Sequence, residues 1–145
     1  QVGADHAINY KSQDFVEEIK KITDGQGVDI VLDMVAGDYV ARNLQCLKED
    51  GRHVTIAVQG GAQATLNMAH IMMKRLILTG STLRPQSTER KALLGDELHR
   101  YVWPDIEAGK LKPVMDECFA LADAAKAHAH MEAGDHIGKI VLTVE

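Results

Sequence analysis

No G-x-G-x-x-G occurs anywhere in the 145 residues, so the glycine turn through which a backbone usually approaches a pyrophosphate is missing. Aromatic residues make up only 4% of a chain that is 46% hydrophobic, so aliphatic and methionine side chains must fill any core. Two cysteines, Cys46 and Cys118, form no C-x-x-C, which excludes a disulfide framework and fits two reduced thiols. Sixteen Lys and Arg face 21 Asp and Glu, a formal net charge of -5, which argues against a nucleic-acid partner. No run of 18 apolar residues exists to span a membrane. No charged n-region with an apolar h-region opens the chain, so no export signal is visible; the two reduced thiols make a cytoplasmic setting the expectation. The histidines include no i,i+4 pair and no H-E-x-x-H, and His128 and His130 diverge by roughly 200° on a helix, so no metal is expected. No G-x-S-x-G marks a nucleophile.

What is present is an alternation of strands and helices. Ala7–Tyr10 reads as a short strand, after a helix that ends at Gly3. Asp14 caps a helix with Glu17 as its capping-box partner, and Phe15, Ile19 and Ile22 share one face. Asp24–Gly27 ends it. Val28–Val35 is a near-continuous apolar run, as a parallel strand covered on both faces requires. Ala36-Gly37 turns the chain, and Asp38 caps a helix to about Lys48, which Asp50-Gly51 stops. A strand over Arg52–Val58, a helix near Asn67–Arg75 and a strand over Leu76–Ser81 follow. A long helix spans Ser87–Ala108, kinked or divided at Pro104. Val114–Phe119, Ala122–Ala133 and Lys139–Val144 read as strand, helix and strand. Such alternation implies a parallel sheet, with ligands beyond the carboxyl ends of its strands. That picks out the loops after Tyr10, Val35, Val58 and Ser81.

Several segments resemble one family. Gly3–Tyr10 looks like the third-strand region of the zinc-independent quinone oxidoreductases, within the medium-chain dehydrogenase/reductase superfamily. Gly25–Asp33, Asn43–Leu47, Asp50–Arg52 and His136–Leu142 are similar to its next strand, the helix after it, the following turn and the C-terminal signature. The resemblance implies an α/β fold. It would be a partial Rossmann-type parallel sheet flanked by helices, without its first two strands and the GroES-like catalytic domain. Residues 1–112 would be the partial nucleotide-binding domain, and 113–145 a segment that returns to the catalytic domain. We read the chain as the back half of such a fold, cut from a longer oxidoreductase. Strands 1 and 2 would then leave a gap in mid-sheet, and Ala7–Tyr10 is not expected in its parental place.

The resemblance also implies site residues for an NADPH coenzyme. Tyr10 would lie near the adenosine ribose and its 2′-phosphate, or else shield a sheet edge. Val35 would lie under the coenzyme, or belong to a plain strand-helix turn. Ile56, Ala57, Val58, Gln59 and Gly60 would admit the ribose and nicotinamide. Gly80, Ser81, Thr82, Leu83 and Arg84 would meet the nicotinamide end through backbone groups, unless Arg84 is a solvated loop residue. His136 and Lys139 flank the C-terminal turn, where a surface lysine is the plainer reading. No catalytic residue is named, because the coenzyme carries the chemistry.

Three functions follow as expectations. The first is the C-terminal part of an NADPH-dependent oxidoreductase that passes hydride to a quinone or related enone. The second is an inactive, self-associating scaffold, since without the glycine turn a pyrophosphate lacks its helix N-terminus. The third is a fragment of a zinc-dependent alcohol dehydrogenase. A homodimer through the edge strand Leu76–Leu83 is expected, because unprotected edges pair with their like.

Overall fold

The structure, a computed structural model, describes residues 3–144. They form two compact units, one running to Gln86 and one from Ser87 onward. The first contains α1 (Phe15–Ile22), β1 (Val28–Asp33), α2 (Tyr39–Cys46), β2 (Leu47–Thr55), α3 (Met68–Lys74) and β3 (Ile77–Gly80). Its strands make one parallel sheet in the order β1-β2-β3.

Local chemistry sets these boundaries. Asp14 accepts from the Val16 and Glu17 N–H groups at the start of α1, satisfying two donors that have no intrahelical partner. Asn67 does the same for His70 at α3, and Arg75 ends that helix in left-handed geometry. Between the helices and one sheet face lies a core of Ala36, Val40, Leu44, Leu47 and Leu76, with Val28, Val31, Leu66 and Ile71 packed against it. Leu44 and Leu47 are almost wholly buried, each contributing about 1.5–3 kcal/mol of apolar burial. From α3, His70 Nε2 meets the Leu44 carbonyl at 3.1 Å and Lys74 Nζ donates to the Leu47 carbonyl at 2.5 Å. The other sheet face leaves Ile30 and Leu32 exposed, at 61% and 66%.

The second unit contains α4 (Thr88–Tyr101), α5 (Trp103–Glu107), β4 (Met115–Ala120), α6 (Ala124–Ala133) and β5 (Lys139–Thr143). The strands β4 and β5 pair in parallel with each other. The long helix divides at Val102, with Pro104 in the first turn of α5. Proline is tolerated there because that N–H has no helical acceptor.

Four expectations need correction. Ala7–Tyr10 is not a strand: it joins no ladder among the described residues. Its backbone turns back on itself, with the Asn9 carbonyl accepting from Ser12 and Gln13 and the Asn9 side chain accepting from Lys11 N–H. Local Asx bonding of this kind competes with extended pairing. Asp38 starts α2 but makes no side-chain cap; the Tyr39 and Val40 N–H groups go instead to the Ala36 and Gly37 carbonyls. The next strand starts at Leu47, before the turn at Asp50-Gly51, and ends at Thr55. Its pairing jumps from Val28↔Leu47 to Ile30↔Arg52, so residues 48–51 bulge out of the ladder, with Asp50 at positive φ. Finally, β1 ends at Asp33 and not at Val35, because Asp33 captures the next amides. The helix expected to end at Gly3 would occupy residues 1 and 2, which lie outside the described ones.

Candidate functional site

The register aligns the carboxyl ends of the three strands. Asp33 pairs with Thr55, and Thr55 with Gly80. Two further backbone bonds extend the alignment into the loops: Ile56 N–H donates to the Asp33 carbonyl at 2.8 Å, and Ser81 N–H to the Thr55 carbonyl at 3.0 Å. Val35, Ile56–Gly60 and Gly80–Arg84 thus emerge along one sheet edge. Ile56 and Val58 are exposed there, as are Gly80, Ser81, Thr82, Leu83 and Arg84.

Two of these loops are joined directly. Gln59 N–H donates to the Met34 carbonyl at 3.2 Å, and Gly60 N–H to the Val35 carbonyl at 2.6 Å. Gly37 is what allows the approach. A Cβ there would lie 2.9 Å from the Gly60 carbonyl carbon and nearer still to its oxygen. Gly37 also sits at φ +55°, beside Ala36 at φ +58°, a region that side chains disfavour.

A cleft of about 560 Å³ opens beside this edge. Tyr10, Val35 and Gln59 line it, together with Phe15, Leu32, Met34 and Tyr39. Phe15 and Tyr39 stack with centroids 5.7 Å apart. The Arg42 guanidinium lies 4.4 Å from the Phe15 centroid and bonds Asp14 at 3.1 Å. The Phe15 and Tyr39 rings give the cleft an apolar aromatic side, while the Arg42 charge is already met by Asp14. Tyr10 is 65% exposed at its mouth. Of the expected residues, Ala57 is half-buried at the same edge. His136 and Lys139 belong to the second unit, at the turn into β5.

The groups that sequence reasoning missed lie beneath the edge. Asp33, Asn43 and His53 are all buried. Oδ1 of Asp33 accepts from Val35 N–H at 2.7 Å and Ala36 N–H at 2.9 Å. Its Oδ2 accepts from Asn43 Nδ2 and meets His53 Nε2, both at 3.0 Å. Burial alone would raise the Asp33 carboxyl, but the Ala36 and Val35 amides and the His53 ring outweigh it and hold the group below the usual carboxylate range. A signal did exist: Asp33 and His53 are polar residues inside otherwise apolar strands, and such residues require buried partners.

In the second unit, His130 Nε2 meets Asp116 Oδ2 at 2.6 Å, and Asp116 Oδ1 accepts from Ile137 N–H at 2.9 Å. The Asp116 hydrogen bond pushes His130 up, and the same bond holds Asp116 down. This knot ties α6 and β4 to the turn that carries His136 and Lys139.

Residues 2–142 match the family model described as zinc-binding dehydrogenase. The chain belongs to that family. It is 31% identical over 144 residues to the 2-haloacrylate reductase of a Burkholderia species, covering 98% of this chain and 43% of that protein. It is 32% identical over 145 residues to quinone oxidoreductase 1 of Escherichia coli K12, covering 98% of this chain and 44% of that protein. A crystal structure of 2-haloacrylate reductase superposes with a TM-score of 0.80 at 30% identity, over 99% of this chain and 44% of that one. The chain thus spans less than half the length of these relatives. The fold is that of the C-terminal, Rossmann-like portion of the medium-chain enzymes, with parallel sheets flanked by helices.

The family's description raises the question of zinc. Buried Cys46 bonds the Arg42 carbonyl through its sulfur, and burial pushes its thiol up, away from the thiolate a metal needs. Cys118 stands exposed on β4. Among the described residues one cluster could hold an ion: Asp116, Glu117 and His130, with ligand atoms within 4.8 Å. Its His130 and Asp116 already satisfy each other, and two exposed carboxylates do not make the thiolate and imidazole set of a structural zinc site. The described residues do not fit zinc.

Proposed function

We propose that the strand-end edge is the coenzyme-facing half of an NADPH-dependent oxidoreductase of the quinone oxidoreductase type, which passes hydride to a quinone or related enone. The observation that carries this reading is the level alignment of Asp33, Thr55 and Gly80, with a cleft lined by Tyr10, Val35 and Gln59 at its margin. Open α/β sheets bind ligands at such carboxyl ends. Relatives that cover nearly the whole chain include a 2-haloacrylate reductase and a quinone oxidoreductase.

In this reading Tyr10 and the Phe15–Tyr39 wall receive the adenosine end. Val35 and Ile56–Gly60 pass beneath the ribose and nicotinamide, and the backbone of Gly80–Arg84 meets the nicotinamide end. His136 and Lys139, at the turn into β5 in the second unit, are assigned to coenzyme binding by the family resemblance, and residues 113–145 belong with a catalytic domain. The bound coenzyme supplies the hydride, while the chain's own groups bind, orient and exclude water. The protein is cytoplasmic and works as a homodimer through Leu76–Leu83.

A second reading concerns the 145 residues alone. The exposed Ile30 and Leu32 face and the apolar β3 edge favour an inactive scaffold that self-associates. Isothermal titration with NADPH, and with NADH beside it, separates the two. Micromolar binding with NADPH preferred supports the coenzyme reading and removes the scaffold. No heat with millimolar NADPH, together with concentration-dependent association, does the reverse. For the dimer, Leu78→Lys places a charge on the β3 edge and should leave a monomer by light scattering; an unchanged dimer refutes that interface.

A further inference from the structure

We propose that Asp33, backed by Asn43 and His53, is the positioning group of the coenzyme-facing turns. The inference rests on the coenzyme reading for what the turns serve, but not for how they are held.

The argument begins with a count of donors and acceptors. A carboxylate offers about four lone-pair sites, and four donors converge on Asp33. The turn amides of Val35 and Ala36 take Oδ1; Asn43 from α2 and His53 from β2 take Oδ2. Asp33 is 3% exposed and His53 1%. Asp33 and Asn43 also form part of the cleft wall, but the four donors already occupy the Asp33 oxygens, so Asp33 and His53 are positioning groups and not catalytic ones. Both act through the backbone above them.

That backbone is in an unfavourable conformation. Ala36 and Gly37 are consecutive left-handed residues, and a non-glycine residue persists there only when its surroundings over-determine it. Asp33 supplies the determination by holding the two N–H groups on either side of the Val35 Cα, the second of them Ala36's own. The fixed Val35 carbonyl then receives Gly60 N–H, and the Met34 carbonyl receives Gln59 N–H. Loop 56–61 therefore inherits its place from Asp33 at one remove. An apolar triad of equal volume would pack the core as well, but it would leave the two turn amides without acceptors.

The test uses the 145-residue chain, two variants, a control and two readouts. Hydrogen exchange at the Val35, Ala36 and Gly60 amides reports the turn whether or not coenzyme binds. Fluorescence titration with NADPH reports what the turn is for. In Asp33→Asn, exchange at those amides should quicken about tenfold or more, the scale of one charge-assisted hydrogen bond. The Val54 and Thr79 ladder amides should change far less, and NADPH affinity should fall by about the same factor. His53→Leu should give the same pattern more weakly. His53→Gln, which keeps a side-chain N–H toward Oδ2, should restore it. Uniform quickening at turn and ladder alike overturns the proposal, because a purely structural group would act so. Unchanged turn exchange in Asp33→Asn also overturns it. Local quickening in a chain that binds no NADPH upholds the positioning role and overturns the coenzyme reading alone.

Discussion

Replacing Gly37 by alanine isolates the contact on which the two strand-end loops depend. Two costs combine. A side chain at φ +55° costs about 1–2 kcal/mol. The new Cβ also falls 2.9 Å from the Gly60 carbonyl carbon, and that neighbour is backbone that cannot swing aside. Relief requires the loops to separate by roughly 1 Å, which breaks the 2.6 Å bond from Gly60 to Val35 at about 1 kcal/mol. The sum is about 2–3 kcal/mol, a large share of a small domain's stability. Gly25→Ala is the control. Gly25 sits at φ +80° with nothing within 4 Å of the added Cβ, so only the conformational cost applies. Urea unfolding, followed by the amide resonances of β1 and β2, gives both values. Gly37→Ala should exceed Gly25→Ala by about 1 kcal/mol or more. Equal losses would refute the loop–loop contact.

Gly95→Ala in α4, with open space around the added Cβ, should raise the second unit's stability by about 0.5–1 kcal/mol; a loss measured by calorimetry would mean that the glycine is packed. Asp33 titrates below its unfolded value of 3.8, so its stabilisation is present above that value and is lost as pH falls through the lower folded one. Asp33→Asn should flatten the acid limb of an unfolding profile, and an unaltered limb would count against the buried anion. His130 is raised above 6.5 by its hydrogen bond to Asp116, so its contribution is complete below that value and fades as pH rises through the folded one. The Ile137 amide should exchange faster, relative to its intrinsic rate, at about pH 9 than at about pH 6, and His130→Ala should remove that difference.

The sequence by itself determined the alternation of elements, the parallel strands of the first sheet and the loops at their carboxyl ends. These are legible because they follow from short-range chemistry: the largely apolar run from Val28, the side-chain cap at Asp14, and glycines at turns. It misplaced what depends on distant partners. Ala7–Tyr10 has strand-like residues, but a strand needs a neighbour for its backbone groups, and Asn9 bonds locally instead. Asp33, Asn43 and His53 stand far apart in the chain, and nothing local says that a carboxylate, an amide and an imidazole share one buried point. Only tertiary structure decided that, because a buried charge is tolerable only where its hydrogen-bond partners are already fixed around it. That same constraint sets the Ala36–Gly37 turn, and with it the surface that the strand ends present.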